Sequence, residues 1–447
     1  MYSSEINDFL GRKGISVGDK VKIESDDVNV EGEIMPKTEV GSPDTLVIKL
    51  ENGYNIGIAY SSDLNMSLVT KRKGKIEFPK AKTKSTHNLP SVELIYTGGT
   101  IGSKVDYKTG GVYMLTKPEE LLYEVPEVSE IANVTISNLF NIASEDMSYH
   151  EWQKIAEEVA RALNKGAKGA VVTIGTDTMH YASAALSFML KGLNAPVVLT
   201  GAQRSSDRGS SDAFFNLKAA MKIAAHSDVA EVGICMHSSS SDDKCHFIRG
   251  THARKMHTSR RDAFRPINGR AIALVDQNLD IKYAAGDYAK VDPHTKEKVE
   301  AMTKFEGKVA LVKISPNSDP GILDFHISRG CKGIILEGTG LGHAPVSTIH
   351  DHLNWLNSIK SAVDSGVVVG MASQCLYGRV NPNVYRNLRI LSTAGVVYCE
   401  DMTPETAYVK LGWLLGNYNA ERARDMLNKD LSGEITKRLE FDENFLV

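Results

Sequence analysis

Cysteine is scarce and unpaired: Cys235, Cys245, Cys331, Cys375 and Cys399 are odd in number and show no C-x-x-C spacing. This speaks against a disulfide framework and for reduced thiols. Cys375 and Cys399 read as small core residues. Long apolar runs are also missing. Gly169 to Ile174 is typical, far short of the ~20 residues that span a bilayer. The start, Met-Tyr-Ser-Ser-Glu-Ile-Asn-Asp, lacks the basic and apolar regions of a signal peptide. A cytoplasmic protein without membrane contact is therefore expected. Charge of one sign is not in excess. A net charge of −3 gives no global attraction to nucleic acid and leaves only local patches. The 13 histidines show no H-E-x-x-H or comparable spacing, so no metal is expected. His237, His246, His252 and His257 read as surface or packing residues.

What is present is ordinary globular material: 42% hydrophobic over 447 residues, enough for about three domains. Residues 15 to 70 alternate. Val21, Ile23, Val28, Val30 and Ile34 are followed by Leu46, Ile48 and Leu50, then Asn52-Gly53, then Tyr54, Ile56 and Ile58. Asn-Gly between alternating runs is a hairpin signal. A small β-barrel-like module over 1–70 follows, more suited to docking than to catalysis. Residues 71–90 hold Lys71, Arg72, Lys73, Lys75, Lys80, Lys82 and Lys84 against Glu77 alone. They read as a basic linker, with a phosphate-contacting arm as the sharper alternative.

From residue 91 the period changes. Val92 to Tyr96 is a strand. Ser148-x-x-Glu151 is a capping box with Trp152, Ile155, Val159 and Leu163 at helical spacing behind it, and Gly166 ends that helix. Ala170 to Ile174 is a buried strand, followed by a helix, by Pro196 to Leu199, and by a helix from about Asp212. Asp292 to Lys304 joins a second set: strands at Val309 to Ile314, Gly333 to Leu336, Val367 to Gly370 and Val396 to Tyr398. Helices are expected over Ile349 to Val363 and from Thr403-Pro404-Glu405. Alternating strands and helices predict two α/β lobes with a mostly parallel sheet, over 91–290 and 306–447, with 291–305 as connector.

In such a sheet chemistry gathers where strands end. Tyr96-Thr97-Gly98-Gly99-Thr100-Ile101-Gly102 is the first such loop. Its glycines permit a sharp turn with bare amides, and no Lys-Ser/Thr of a phosphate loop and no G-x-G-x-x-G follows. A hydroxyl against free amides suits a nucleophile beside an oxyanion hole. The second is Ile174-Gly175-Thr176-Asp177-Thr178-Met179. Helix capping alone accounts for such residues, but a second polar loop in the same lobe favours a site. The third runs from Arg249 to Arg265 and carries Arg254, Lys255, Arg260 and Arg261 against Asp262. It reads either as a charged surface or as the source of a proton-carrying lysine.

Thr97-Gly98-Gly99-Thr100-Ile101 and Gly175-Thr176-Asp177-Thr178-Met179, about 75 residues apart, resemble the L-asparaginase/glutaminase family. So do Ile142 to Met147, Leu199 to Arg204, Asp212 to Leu217, and Lys255 with His257-Thr258-Ser259; the likeness covers roughly 91 to 447. It implies that Thr100 is the nucleophile and that Thr176, Asp177 and Lys255 form the proton relay. Asp177 would also meet the substrate's α-ammonium. Gly99 and Thr176 would supply the oxyanion amides, and Ser144, with Glu145 beside it, would bind substrate. The family also uses a loop tyrosine. Tyr107 and Tyr113, around Gly110-Gly111, both qualify, and Tyr113 is the better spaced.

The module and basic linker ahead of this region are not part of an ordinary asparaginase. With Arg254 to Phe264 they resemble the glutaminase component of archaeal tRNA-dependent amidotransferases. That likeness implies glutamine as ammonia donor, no cofactor in this chain, and ATP and Mg at a partner, the amidotransferase's E subunit. The partner would hold glutamyl-tRNA(Gln), and this chain would form a homodimer within a heterotetramer. A free-standing cytoplasmic L-asparaginase and a tRNA-binding module are the alternatives.

Overall fold

The computed structural model describes residues 2–24, 29–35, 43–50, 55–61, 64–71, 89–105, 112–114, 125–205 and 210–439; 55, 103–105 and 112–114 are described in the main chain alone. Asn52-Gly53, most of the basic linker, Tyr107 and Gly110-Gly111 lie outside these residues.

The N-terminal module opens with a helix, Ser4–Arg12, that the sequence reading missed. Ser3 caps it by accepting from the Ile6 amide, and Ile6, Phe9 and Leu10 share its buried face. It covers an antiparallel sheet of β1 (Lys20–Glu24), β2 (Asn29–Ile34), β3 (Thr45–Leu50), β4 (Asn55–Ala59) and β5 (Asn65–Thr70), ordered β4-β3-β2-β1-β5. Alternation sends Val21, Ile23, Ile34, Leu46 and Ile48 inward, all fully buried. β3 and β4 pair across the Asn-Gly segment, Ile48 opposite Ile56. Among the described residues this is an open five-stranded sheet, not a closed barrel.

The main sheet contains β6 (Ser91–Tyr96), β9 (Asn133–Asn138), β10 (Gly169–Thr173), β12 (Val197–Thr200), β13 (Val232–His237), β14 (Lys244–Arg249), β17 (Ala273–Asp276) and β18 (Ile281–Tyr283). Its order is β18-β17-β14-β13-β12-β10-β6-β9. β9, β6, β10, β12 and β13 run parallel; β14, β17 and β18 are antiparallel additions. Every residue of β10 is buried, because helices cover both faces. Ile95, Val172, Leu199 and Ile234 pack with helices Tyr149–Asn164 and Met179–Met189. Their neighbours Leu94, Val171, Val198 and Cys235 pack with helix Ala213–His226. Two small hairpins accompany the sheet: β7 (Ser103–Val105) with β8 (Val112–Met114), and β15 (Ala253–Lys255) with β16 (Phe264–Pro266). β11 (Leu190–Lys191) pairs with β19 (Glu300–Ala301) in the connection to the second lobe.

That lobe is a parallel sheet of β20 (Val309–Lys313), β21 (Gly333–Gly338), β22 (Val368–Ser373) and β23 (Val397–Tyr398), in chain order. Helix Pro404–Asn417 joins the two lobes through a shared core. Trp413 stacks on Phe188 at 5.9 Å, and Leu411 and Leu414 belong to the same cluster as Leu186 and Val172.

Three expectations need correction. The helix expected from Ile349 begins only at Leu356. Ile349 is exposed, a short 3-10 turn occupies Asp351–Leu353, and the Asn354 side chain takes the Leu356 amide as a cap. The Arg249 to Arg265 segment is a strand end and a hairpin rather than one loop. Cys375 is exposed, whereas Cys399 is buried.

Candidate active site

The C-terminal ends of β6, β9, β10 and β12 lie side by side, and three of the loops that follow are in backbone contact. Gly99 has φ +86°, a conformation that glycine adopts freely. A β-carbon on it would lie 2.5 Å from the Gly175 nitrogen and 2.8 Å from the Ile174 carbonyl carbon. A β-carbon on Gly175 would in turn lie 2.8 Å from the Ser144 hydroxyl oxygen. Glycine at both positions is thus what lets the first loop, the second loop and the Ser144 turn close on one another. The Thr97 hydroxyl fastens the first loop by donating to the Thr173 carbonyl at 2.8 Å. The Thr178 hydroxyl fastens the second by donating to the Ser144 carbonyl at 2.7 Å. Thr100 follows directly, opening a single 3-10 turn, Thr100–Gly102, half-buried at the rim.

Lys255 completes the arrangement from the β15–β16 hairpin. Its Nζ donates to the Thr176 hydroxyl at 2.9 Å and to Asp177 Oδ1 at 2.5 Å. Thr176 and the lysine side chain are largely buried, while the Asp177 side chain is 66% exposed. The carboxylate is therefore available to a second cation. An amine held between a hydroxyl and a carboxylate can pass a proton from one to the other. Thr176, Asp177 and Lys255, up to 79 residues apart in sequence, thus meet at one point. Ser144 is buried against Gly175, and Glu145 beside it is exposed. Tyr113 lies in β8, opposite Lys104.

Sequence reasoning missed two features around the lysine. Arg254 Nη1 reaches Glu405 at 2.9 Å, tying the hairpin to the first turn of helix Pro404–Asn417 in the other lobe. Burial pushes the Glu405 carboxyl upward, and Arg254 opposes that rise. His180, in the first turn of helix Met179–Met189, has its pKa lowered to about 4, first by desolvation and then by Arg254 and Lys255. Its Nδ1 is buried without a partner among the described residues. The hairpin itself is held by Asp262, which takes Arg260 at 2.9 Å and Arg265 at 2.7 Å. Those guanidiniums hold its carboxyl down at about 2. Among the described residues no group of His, Cys, Asp and Glu is arranged to hold a metal.

Comparison with known proteins agrees with this layout. Residues 91–286 match the family described as asparaginase, N-terminal. Residues 308–427 match the glutaminase/asparaginase C-terminal domain, and residues 15–69 match the GatD N-terminal domain. The chain is 51% identical over 443 residues to the D subunit of glutamyl-tRNA(Gln) amidotransferase from Pyrococcus abyssi, covering 98% of this chain and 99% of that one. The protein of the same name from Methanothermobacter thermautotrophicus is 44% identical over 439 residues, 98% of each. Among solved structures, the thermostable L-asparaginase from Thermococcus kodakarensis superposes with a TM-score of 0.69 at 28% identity, over 78% of this chain and all of that one. L-asparaginase I from Vibrio cholerae gives 0.67 at 29% identity, over 78% and 99%.

Proposed function

Because the chain belongs to the asparaginase family, and within it to the glutamyl-tRNA(Gln) amidotransferase D subunits, we propose that it hydrolyses glutamine through a threonine acyl-enzyme and feeds the ammonia to a partner. The observation that carries this reading is the contact of Lys255 Nζ with both the Thr176 hydroxyl and the Asp177 carboxylate.

The Thr100 hydroxyl attacks the side-chain amide carbon of glutamine. The Gly99 and Thr176 amides face the developing oxyanion, each worth ~3 kcal/mol in such a site. The proton leaves Thr100 through the Thr176–Lys255–Asp177 relay and returns to the departing nitrogen. The C–N bond breaks, ammonia is released, and a γ-glutamyl ester remains on Thr100. Water then hydrolyses the ester to glutamate by the same relay. Two lower barriers replace one high one. Asp177, exposed on its outer side, takes the substrate α-ammonium. Ser144 takes the carboxylate, with Glu145 at the same edge. Tyr113 takes the part of the family's tyrosine in this reading.

The partner is the amidotransferase's E subunit, which holds glutamyl-tRNA(Gln), ATP and Mg and converts the aminoacyl group to glutaminyl. This chain pairs with itself in a cytoplasmic heterotetramer and needs no cofactor of its own. The N-terminal module favours this reading over a free-standing asparaginase, since residues 15–69 match the GatD N-terminal domain and lie outside both asparaginase-family matches.

The test is ammonia release from glutamine and from asparagine, by the chain alone and with partner and glutamyl-tRNA. Turnover of glutamine that rises with both additions, and falls by several orders of magnitude in Thr100→Val, is expected. Vigorous asparagine turnover by the chain alone would establish the asparaginase instead.

A further inference from the structure

A hydrogen-bonded chain runs behind the site, buried as far as His237 and reaching the surface at Asp242, and the reaction proposed above does not use it. It starts at Gly201, which backs onto the second loop. A β-carbon there would lie 2.6 Å from the Ile174 carbonyl oxygen and 3.1 Å from Thr176 Cγ2. The Gly201 carbonyl accepts from Asn216 Nδ2 at 3.0 Å. The same amide group donates to Asp212 Oδ2 at 3.0 Å, and that carboxylate also takes the Gln203 and Arg204 amides. With its nitrogen so committed, Asn216 turns Oδ1 toward His237 Nδ1, 2.6 Å away. The other ring nitrogen, Nε2, lies 2.9 Å from Asp242 Oδ1.

Asp242 carries the chain to the opposite wall. Its Oδ1 takes Arg261 Nη1 at 2.6 Å. Arg261 sits in the turn joining β15 to β16, the hairpin whose first strand ends in Lys255. Its other arm reaches the Ser240 carbonyl, and Arg265 of β16 reaches the Ser238 carbonyl at 2.8 Å. Asp212, Asn216 and His237 have no exposed surface. Their hydrogen bonds are therefore not exchangeable with water at little cost. Both nitrogens of His237 are engaged, one by Asn216 and one by Asp242, so the ring is held from both edges.

We propose that His237 is a positioning residue for the amide hydrolysis. It ties the wall behind Thr176 to the hairpin that presents Lys255, so that Nζ stays within reach of the threonine hydroxyl. Phe215 lies edge-on to the ring at 5.5 Å and Cys245 Sγ is 3.9 Å from Nδ1, so the ring is packed between its two polar partners. This inference rests on the hydrolysis reading.

The test uses the full chain, assayed with partner and tRNA as above, comparing wild type with His237→Gln, Arg261→Met and Arg261→Lys. A displacement of Lys255 by about 1 Å costs on the order of 10²-fold in rate. The expected result is that His237→Gln and Arg261→Met lose kcat on that scale while KM for glutamine changes little, and that Arg261→Lys recovers part of the loss. Arg261 lies outside the core, so its variants report even where His237→Gln folds poorly. Wild-type kcat in Arg261→Met overturns the proposal. Absence of Thr100-dependent hydrolysis in the wild type overturns the underlying reading instead.

Discussion

His180 shows how a single side chain sets the acid behaviour of the site. Its imidazole is kept neutral by burial and by the cations Arg254 and Lys255, with a pKa near 4. In the unfolded chain it titrates at its ordinary value of about 6.5. Between those values the unfolded state binds the extra proton, so stability rises with pH and is lost as pH falls from about 6.5 to about 4. His246, fully enclosed and lowered to about 3, acts in the same direction. His180→Gln is expected to flatten the acid limb of stability over that window, read by denaturant unfolding at a series of pH values. An unchanged limb would place His180 in contact with water. Neither histidine stands in a recognisable motif, since the neighbours that lower them are brought up by the fold.

At the scale of elements, the β15–β16 hairpin is held from three sides: by Asp262 within, by Arg261 and Arg265 to the loop after β13, and by Arg254 to helix Pro404–Asn417. The Glu405 side chain is only 8% exposed. Removing its partner leaves a buried carboxylate uncompensated, which costs about 3 kcal/mol or more. Arg254→Met is expected to lower stability on that scale. Adding Glu405→Gln should restore most of it, as a double-mutant cycle on the full chain would show. A loss in the double variant equal to the sum of the two single losses would mean that the pair contributes nothing as a pair. The same comparison bears on sequence reading. The capping box at Ser148 and the Thr403-Pro404 start were legible because every group involved is local. The helix expected from Ile349 was not, because its apolar spacing competes with Asn354, whose side chain caps the chain five residues later.

For the whole molecule, the N-terminal module keeps its own core. Among the described residues, Ile6, Val21, Ile23, Leu46 and Met66 pack with one another and not with the lobes. The two α/β lobes, by contrast, share one cluster through Trp413 and Phe188. A chain starting at residue 89 is therefore expected to fold and to keep Thr100-dependent glutamine hydrolysis, while losing most of its stimulation by partner and tRNA. Circular dichroism with the ammonia assay checks both halves. Loss of folding on truncation would make the module part of the catalytic unit.

By itself the sequence determined what is local. Hydrophobic period separated a β module from α/β lobes. Gly98-Gly99-Thr100 and Gly175-Thr176-Asp177 marked the two loops, because tight turns and hydroxyls at strand ends are written in consecutive residues. The tertiary structure alone decided the rest. It seats Gly99 on Gly175 and Gly175 on Ser144, swings Lys255 onto Thr176 across 79 residues, and joins Gly201 to Arg261 through Asn216, His237 and Asp242. Such pairs have no fixed spacing. Burial selects the enclosed members, Thr176, Asn216 and His237, since each polar group taken out of water must meet a partner wherever the fold places one.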